Sequence, residues 1–238
     1  MQLYECYILH RRDYQNSSLL LELFSRELGR LPAIAKGVKS ARSKKQGELQ
    51  SFYPLQLGLV GRGEIRTITT IDSEQRPHLL TGEALYCGLY LSELLMRMTA
   101  RNDPHPALFE QYEQALSALA QGELLDHTLR YFEINMLKTL GYGLLLNCQA
   151  TGEALEPDQH YYYRIEYGPE PISACSMGEM TIRGSTLLAL SGGEPLSRIA
   201  AQEAKRLMRL VLAYYLGAKP LKSRELFRPI NPSFKSNH

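Results

Sequence analysis

The side chains best suited to chemistry in this sequence are the basic residues between Gly29 and Gly47. Apart from Val38, residues 37–47 lack large apolar side chains, so this stretch is expected to be an exposed loop or a short basic helix. Exposed Lys and Arg neutralise phosphates without needing a fixed base register. The stretch is therefore a candidate polyanion contact. Its six cations, which no acidic residue interrupts, are Arg30, Lys36, Lys39, Arg42, Lys44 and Lys45.

The charge of the whole chain is nearly balanced, with 27 Lys+Arg against 25 Asp+Glu, but it is distributed unevenly. Residues 1–80 carry 12 basic and 8 acidic side chains, residues 81–202 carry 7 and 15, and residues 203–238 carry 8 and 2. Basic ends of this kind suggest contact with a polyanion, although charge alone leaves chance differences between solvated faces as an equal alternative. The cations that would extend the basic surface are Arg62, Arg66, Lys219, Lys222, Arg224 and Arg228.

Two arginines of the acidic middle region suggest a second kind of contact. Arg97 and Arg130 are each flanked by apolar residues in segments predicted to be helical. An arginine beside an apolar groove can hold the carboxylate of a peptide end while the groove takes its hydrophobic side chain. An ordinary intramolecular ion pair is the alternative, and composition alone favours it.

Motifs for catalysis and metal binding are weak. The sequence contains no G-x-S-x-G, no phosphate-binding G-x-x-x-x-G-K-[ST] and no dinucleotide fingerprint. Cys148 and Cys175 are 27 residues apart, and neither has the close cysteine partner that zinc ribbons need. The four cysteines do not form the framework of a disulfide-rich protein. We therefore expect neither an enzyme nor a cofactor.

The predicted secondary structure that positions these residues changes from strands to helices near residue 80. Residues 4–10, 19–25, 30–35, 55–60 and 64–71 read as short strands, which suggests a small closed barrel such as an OB-fold, or an SH3-like barrel. From about Thr81 the apolar period becomes helical. Helices are predicted over 81–98, from an Asp103-Pro104 start, over 124–140, over 197–216 and as a short turn capped by Ser223, with a strand candidate at 161–163.

Composition limits the class of protein. The chain has 238 residues, of which 44% are hydrophobic, so a substantial core is expected. There is no apolar run of membrane-spanning length and no signal-peptide pattern at the start. The prediction is a globular, cytoplasmic protein.

Four stretches carry a resemblance to a known family. They are LFSRELGRLPAIAKGVKSARSK at 23–44, LYCGLYLSELLMR at 85–97, LRYFEINMLKTLGYG at 129–143 and YLGAKPLKSRELF at 215–227. In these stretches and their spacing the sequence resembles the RecO family of bacterial DNA repair and recombination mediators. The resemblance implies an α+β multidomain fold: an N-terminal OB-fold over 1–80, then an α-helical domain over 81–238 with a degenerate zinc-finger-like insertion at about 145–180.

The resemblance also implies partners. Members of the family bind single- and double-stranded DNA, anneal complementary strands, and with RecR help RecA load onto DNA coated by the single-strand-binding protein SSB, whose acidic, Phe-ending tail they bind. Other members carry two C-x-x-C pairs, of which this sequence keeps one cysteine each, so no metal is expected. The basic residues above are then predicted to bind DNA near the bacterial nucleoid. The predicted SSB-tail site consists of Leu94, Arg97, Leu129, Arg130 and Phe132.

Two other classes of function remain as alternatives. A metal-dependent nuclease would use carboxylates of the middle region, although the sequence shows no clustered acidic motif. A protein adaptor would use its basic segments only for solubility, and it would show no salt-dependent DNA binding.

Overall fold

The N-terminal part of the chain is a closed five-stranded β-barrel. The structure is a computed structural model that describes residues 2–39, 45–73, 76–172 and 180–227, with only the backbone of residues 45 and 46. The elements of the barrel are β1 (Leu3–Tyr14), β2 (Ser18–Ser25), β3 (Gly29–Ala35), the short helix α1 (Lys45–Glu48), β4 (Leu55–Val60) and β5 (Arg66–Asp72). The strands follow one another round the barrel in the order β1-β2-β3-β5-β4, and β3 and β5 form its parallel pair. The predicted barrel is confirmed.

Part of the barrel wall is buried on both faces. Alternate side chains along its strands point into the barrel core or into the core of the helical part. On β1, Cys6 and Ile8 point into the barrel, whereas Tyr7 and Leu9 join the core of the helical part. Phe24 of β2 also belongs to the helical core. The barrel and the helices therefore share apolar packing, which favours one fixed arrangement of the two parts.

The helical part begins where the sequence period changes. Its elements are α2 (Gly82–Met98), α3 (Pro106–Gln121), α4 (Leu125–Thr139), α5 (Gly184–Gly192), α6 (Arg198–Leu216) and a 3₁₀ helix (Lys222–Phe227). The buried faces of α2, α3, α4 and α6 form its core. None of the described helices is long and apolar enough to cross a membrane.

Two helix boundaries differ from the sequence expectation. The helix predicted to start at Asp103-Pro104 begins at Pro106, because the Asp103 carboxylate bonds to the ring of His105 at 3.1 Å and its backbone lies against Gly29. Helix α5 is not predicted by the sequence, since it has only nine residues and both its first and last residues are glycine, which disfavours helix. Packing against α6 stabilises it instead.

A small sheet occupies part of the segment predicted to be zinc-finger-like. Strand β6 (His160–Arg164), which contains the strand candidate at 161–163, lies between β7 (Gly168–Pro171) and β8 (Thr181–Arg183). The described residues of this segment form an ordinary antiparallel sheet, and they do not bear out the zinc-finger-like part of the fold prediction.

Candidate functional site

The first part of the predicted basic stretch lies beside the hairpin of β1 and β2. The Lys39 ammonium pairs with Asp13 at 2.6 Å, and its backbone N–H donates to the carbonyl of Ser17 at 3.0 Å. Lys36 is exposed and forms no ion pair with a described residue. Two further predicted cations, Arg42 and Lys44, and the side chain of Lys45 lie outside the described residues.

Arg30 holds the barrel against the helical part. Its Nε and Nη2 donate to the carbonyl oxygen of Thr99 at 3.1 and 2.9 Å, and its Nη1 pairs with Glu22. Three of its five N–H donors are bonded inside the protein and only 15% of the side chain is exposed, so little of the guanidinium is open to a phosphate. Among the described residues of the predicted basic cluster, Arg30 thus differs from Lys36, which is exposed and unpaired within the described part of the chain.

A groove with two parts runs along the barrel beside the end of α2, and we call it the barrel groove. The first part has a volume of about 350 Å³ and includes His10, Arg12 and Arg101. The second part has a volume of about 410 Å³ and includes Arg62 and Arg66. Glu64 lines both parts, so they adjoin. Arg62 is exposed and free of ion pairs with described residues, whereas Arg66 donates to the carbonyl of Gly61.

Sequence reasoning missed three polar residues of the barrel groove, His10, Arg12 and Arg101. The alternation that puts Cys6 and Ile8 inside the barrel would carry His10 and Arg12 inside as well. The β1–β2 register shifts between Ile8 and His10, and both His10 and Arg12 are exposed beyond the shift. A β-bulge re-aims side chains in this way. Two adjacent arginines at the end of an apolar strand were the signal that could have found them.

The predicted C-terminal cations are divided between two surroundings. Lys219 and Lys222 are exposed. The segment is held by Glu93 of α2, which accepts hydrogen bonds from the backbone N–H groups of Lys222 at 2.9 Å and Ser223 at 2.8 Å. Arg224 lines a cavity in the helical part instead. Arg228 lies outside the described residues.

This cavity, which we call the helical cavity, has a volume of about 320 Å³ and lies among α2, α4, α6 and the 3₁₀ helix. Leu125, Leu129, Cys87 and Phe227 give it an apolar lining. Its cations are Arg130, Lys205, Arg209 and Arg224, and its acids are Glu83, Asp126 and Glu133.

Three of the four cations of the helical cavity are weakly engaged. Lys205 lies 3.8 Å from Asp126, a long ion pair, and exposed Arg209 pairs with no described residue. The Nη2 atom of Arg224 is buried and makes no hydrogen bond within the described residues. A buried donor without a partner is costly, and an anionic ligand in the cavity would satisfy it.

The fourth cation, Arg130, forms a buried ion pair with Glu133. Its Nε donates to Oε2 of Glu133 at 2.7 Å and its Nη2 bonds to Oε1, which also accepts the Tyr90 hydroxyl at 2.6 Å. Burial works against the charged form of Arg130, but Glu133, Tyr90 and Asp126 together more than offset it, so the pKa of the guanidinium is raised. Arg130 is thus a fixed positive charge in the cavity wall.

The predicted SSB-tail residues fall into two groups. Leu129 and Arg130 line the helical cavity, whereas Leu94 and Phe132 are buried in the core, Phe132 beneath a neighbouring groove. Arg97 donates to the carbonyls of Leu216 at 2.8 Å, Lys219 at 2.6 Å and Pro220 at 3.2 Å. It therefore anchors the end of α6 and the segment after it.

Comparisons with known proteins agree with this architecture. Residues 1–75 match a sequence profile described as "Recombination protein O N terminal", and residues 79–225 match one described as "Recombination protein O C terminal". The chain belongs to the RecO family. The resemblance stated from the four sequence stretches is thus confirmed, and the family is one of DNA repair and recombination proteins rather than enzymes.

Curated relatives match along nearly the whole chain. A protein of Alkalilimnicola ehrlichii is 43% identical over 226 residues, which cover 94% of this chain and 90% of the relative. One of Methylococcus capsulatus is 44% identical over 223 residues, covering 93% and 91%. One of Dechloromonas aromatica is 40% identical over 227 residues, covering 94% of each. All three are named "DNA repair protein RecO".

The cysteines of the predicted zinc-finger-like insertion line neither the barrel groove nor the helical cavity among the described residues. Cys148 is half-buried and forms an isolated β-bridge with Ala154, and Cys175 lies outside the described residues. Among residues 2–39, 45–73, 76–172 and 180–227, no three His, Cys, Asp or Glu side chains converge as metal ligands. Since Cys175 is not described, the prediction that no metal binds stays a prediction.

Proposed function

We propose that this RecO-family protein is a recombination mediator that binds single- and double-stranded DNA through its barrel and anneals complementary strands. The observation that carries the proposal is the barrel groove, in which exposed Arg12 and Arg62 lie on the two parts that adjoin at Glu64. Cations along a groove can follow a phosphate backbone without reading its sequence.

The position of the groove matches the way OB-folds hold oligonucleotides, and we propose that the barrel is an OB-fold. Such barrels bind with the outer face of strands 2 and 3 and the loops between strands 1 and 2 and between strands 4 and 5. Here Leu20 of β2 and Pro32 of β3 line the groove. Arg62 lies in the β4–β5 loop, and Lys39 lies against the β1–β2 loop through Ser17.

Annealing follows from charge neutralisation. Two complementary strands repel each other through their phosphates, and cations that neutralise both lower this repulsion. Lys36 would serve the second strand, together with Arg42, Lys44 and Lys45, whose side chains lie outside the described residues. The reaction requires neither ATP nor a metal ion.

The test of this site is the binding of a fluorescent single-stranded oligonucleotide, measured by anisotropy as a function of salt. Arg12→Gln and Arg62→Gln should each lower the affinity and reduce the slope of log K against log salt by about 0.7, which is one phosphate contact. The pair Lys44→Glu and Lys45→Glu should reduce both further. The control is Arg164→Gln, an exposed arginine paired with Glu170 on the β6–β7 hairpin. Unchanged affinity and slope in all three barrel variants would refute DNA binding by the barrel.

We further propose that the helical cavity holds the acidic, Phe-ending tail of SSB. Arg209 and Lys205 at its rim suit the acidic residues, the buried Nη2 of Arg224 suits the terminal carboxylate, and the apolar lining suits the phenylalanine ring. We assign this role to these three cations in preference to the predicted Arg97, which uses three of its five donors on backbone carbonyls.

A peptide of this chemistry tests the cavity. Arg209→Gln and Arg224→Gln should each weaken peptide binding about fivefold or more while leaving naked-DNA binding by the barrel within twofold, since each removes one charge-assisted contact. Arg164→Gln is again the control. Annealing of SSB-coated strands should then be fast with intact SSB and slow with SSB that lacks its tail. Equal rates with both forms of SSB would remove the cavity from the mechanism.

The remaining partners follow from the family. With RecR, the protein would promote RecA loading in the cytoplasm, at the bacterial nucleoid. A protein adaptor without direct DNA contact is the competing function, and it predicts anisotropy with no dependence on salt. A nuclease would release Mg²⁺-dependent cleavage products in the same assay.

A further inference from the structure

The outer face of α6 carries charges and aromatic rings that the barrel groove and the helical cavity leave unused. Every fourth residue from one end of the helix to the other is exposed, and such positions form a ridge along a helix surface. The ridge consists of Arg198, Gln202, Arg206, Leu210 and Tyr214.

This ridge is basic and free of acidic side chains. Arg198 and Arg206 are exposed and pair with no described residue. The one carboxylate of α6, Glu203, is turned inward, where it accepts a hydrogen bond from the Thr186 hydroxyl at 2.5 Å. The charge of the ridge therefore complements a polyanion.

The ridge ends in a cluster of three tyrosines. The Tyr214 ring meets the Tyr215 ring edge-on with centroids 5.1 Å apart, and Tyr215 meets Tyr142 at 4.6 Å. Tyr214 is 55% exposed and Tyr142 is 43% exposed, so two of the three rings present open surface to solvent. These rings add apolar surface to a face that no described residue covers, as expected of a binding surface.

The backbone holds both exposed rings in place. After α4, Gly141 adopts a left-handed conformation, and the Tyr142 N–H donates to the Leu137 carbonyl at 2.8 Å, which is the Schellman type of helix end. Tyr214 lies in the last turn of α6, which Arg97 anchors through the Leu216 carbonyl. A preorganised aromatic surface loses little entropy when a base stacks on it.

We propose that this ridge and its tyrosine cluster form a second DNA contact, where bases of a single strand stack on Tyr142 and Tyr214 and its phosphates pair with Arg206 and Arg198. Exposed rings next to cations are the combination that binds single strands without sequence preference. A duplex keeps its bases stacked inside, so the tyrosines discriminate against it. This proposal rests on the proposed function in one respect: the proposed function identifies the polyanion that binds the ridge as DNA.

The second site gives annealing a further physical basis, in addition to charge neutralisation beside the barrel. A strand held on the ridge by its backbone and a few bases is separate from the strand held in the barrel groove. Two strands on one protein meet at a raised effective concentration. The protein would thus act on two single strands at once without first forming a dimer.

The test compares a labelled single strand with a duplex of the same length, using the full chain. The double variant Tyr142→Ala and Tyr214→Ala should bind the single strand about tenfold more weakly, with its salt slope unchanged and duplex affinity within twofold. The matched control, Tyr142→Phe with Tyr214→Phe, keeps both rings and should bind as the unmodified protein does. Arg206→Gln should instead reduce the single-strand salt slope by about 0.7.

One acidic neighbour allows a test in the opposite direction. Glu166 raises the pKa of Tyr215, though less than the burial of Tyr215 does, so its carboxylate lies near the cluster. Glu166→Gln should strengthen single-strand binding by removing a charge that repels phosphate. Thermal unfolding of each variant shows whether the fold is retained, which we expect because the substituted rings are exposed.

The outcomes separate this site from the barrel. If the alanine pair binds single strands as well as the phenylalanine pair does, or loses duplex binding equally, the second site is refuted while barrel variants can still lose binding. If the alanine pair loses only the binding of an acidic peptide, the face is a protein-docking surface and the proposal is also refuted. If the alanine pair, with all barrel residues unchanged, loses single-strand binding and keeps duplex binding, the second site is supported.

Discussion

Arg30 of β3 donates two hydrogen bonds to the main-chain carbonyl of Thr99, at the end of α2. The same guanidinium pairs with Glu22, and its own backbone carbonyl accepts the N–H of Asn102 at 2.8 Å. One barrel residue thus fixes the segment that leaves the first long helix. A cation that looked like a DNA ligand in the sequence is a structural tie between the two parts of the molecule.

Arg30→Ala should therefore act on stability. We expect the free energy of unfolding to fall by about 2–4 kcal/mol, because charged hydrogen bonds are lost and Glu22 loses a partner. Lys36→Ala, six residues further on and exposed, should change it by less than about 0.5 kcal/mol. Urea unfolding of both variants measures the difference. If Arg30→Ala weakened DNA binding at full stability, its assignment to the tie would be wrong.

Gly29, next to Arg30, gives a second test of the same contact. A Cβ at Gly29 would lie 2.1 Å from the carbonyl oxygen of Asp103, and the residue has a φ of +70°. Gly37 has a φ of +69° with nothing within 4 Å, which makes it a matched control. Gly37→Ala should cost about 1–2 kcal/mol for its backbone conformation alone, and Gly29→Ala about 3–5 kcal/mol. Equal losses in thermal or urea unfolding would show that the Asp103 contact can relax freely.

Contacts between distant segments, such as Arg30 with Thr99 and Gly29 with Asp103, could not be predicted from the sequence. The barrel, the main helices and the family were accessible because they depend on local period and on contiguous stretches such as KPLKSRELF. The partners of Arg30, Arg97 and Arg130 were not, since each partner choice depends on which chain segments meet in space. Thr99 and Glu22, which Arg30 contacts, lie 69 and 8 residues from it. Likewise, no local pattern brings Arg224 beside Arg209.

The Arg130–Glu133 pair makes Arg130 a poor probe of ligand binding. Arg130→Met should lower the free energy of unfolding by about 3–5 kcal/mol, because it leaves the buried carboxylate of Glu133 uncompensated. The double variant Arg130→Met with Glu133→Leu should recover part of this loss, since an apolar pair can replace a buried ion pair but the buried Tyr90 hydroxyl loses its acceptor. Urea unfolding of the single and double variants gives the coupling. An Arg130→Met variant as stable as the original protein would show that Glu133 takes up a proton at little cost.

A pH dependence follows from the cluster of Tyr7, His78 and Glu113, where the barrel meets α3. The Tyr7 hydroxyl donates to Glu113 at 3.0 Å and lies 3.3 Å from Nε2 of His78. Burial lowers the pKa of His78 below its ordinary value of 6.5, although Glu113 opposes the shift. Below pH 6.5 the unfolded chain therefore binds the proton more readily than the folded chain.

The sign of the effect is then fixed. Where the unfolded state binds more protons, the free energy of unfolding rises with pH, so His78 costs stability as the pH falls from 6.5 through its folded pKa. His78→Asn removes this contribution, and we expect the original protein to lose stability relative to the variant between pH 7 and pH 5. Urea unfolding of both proteins over that range measures the difference. Parallel curves for the two proteins would mean that His78 titrates alike in the folded and unfolded chains, and its burial beside Tyr7 would then carry no electrostatic cost.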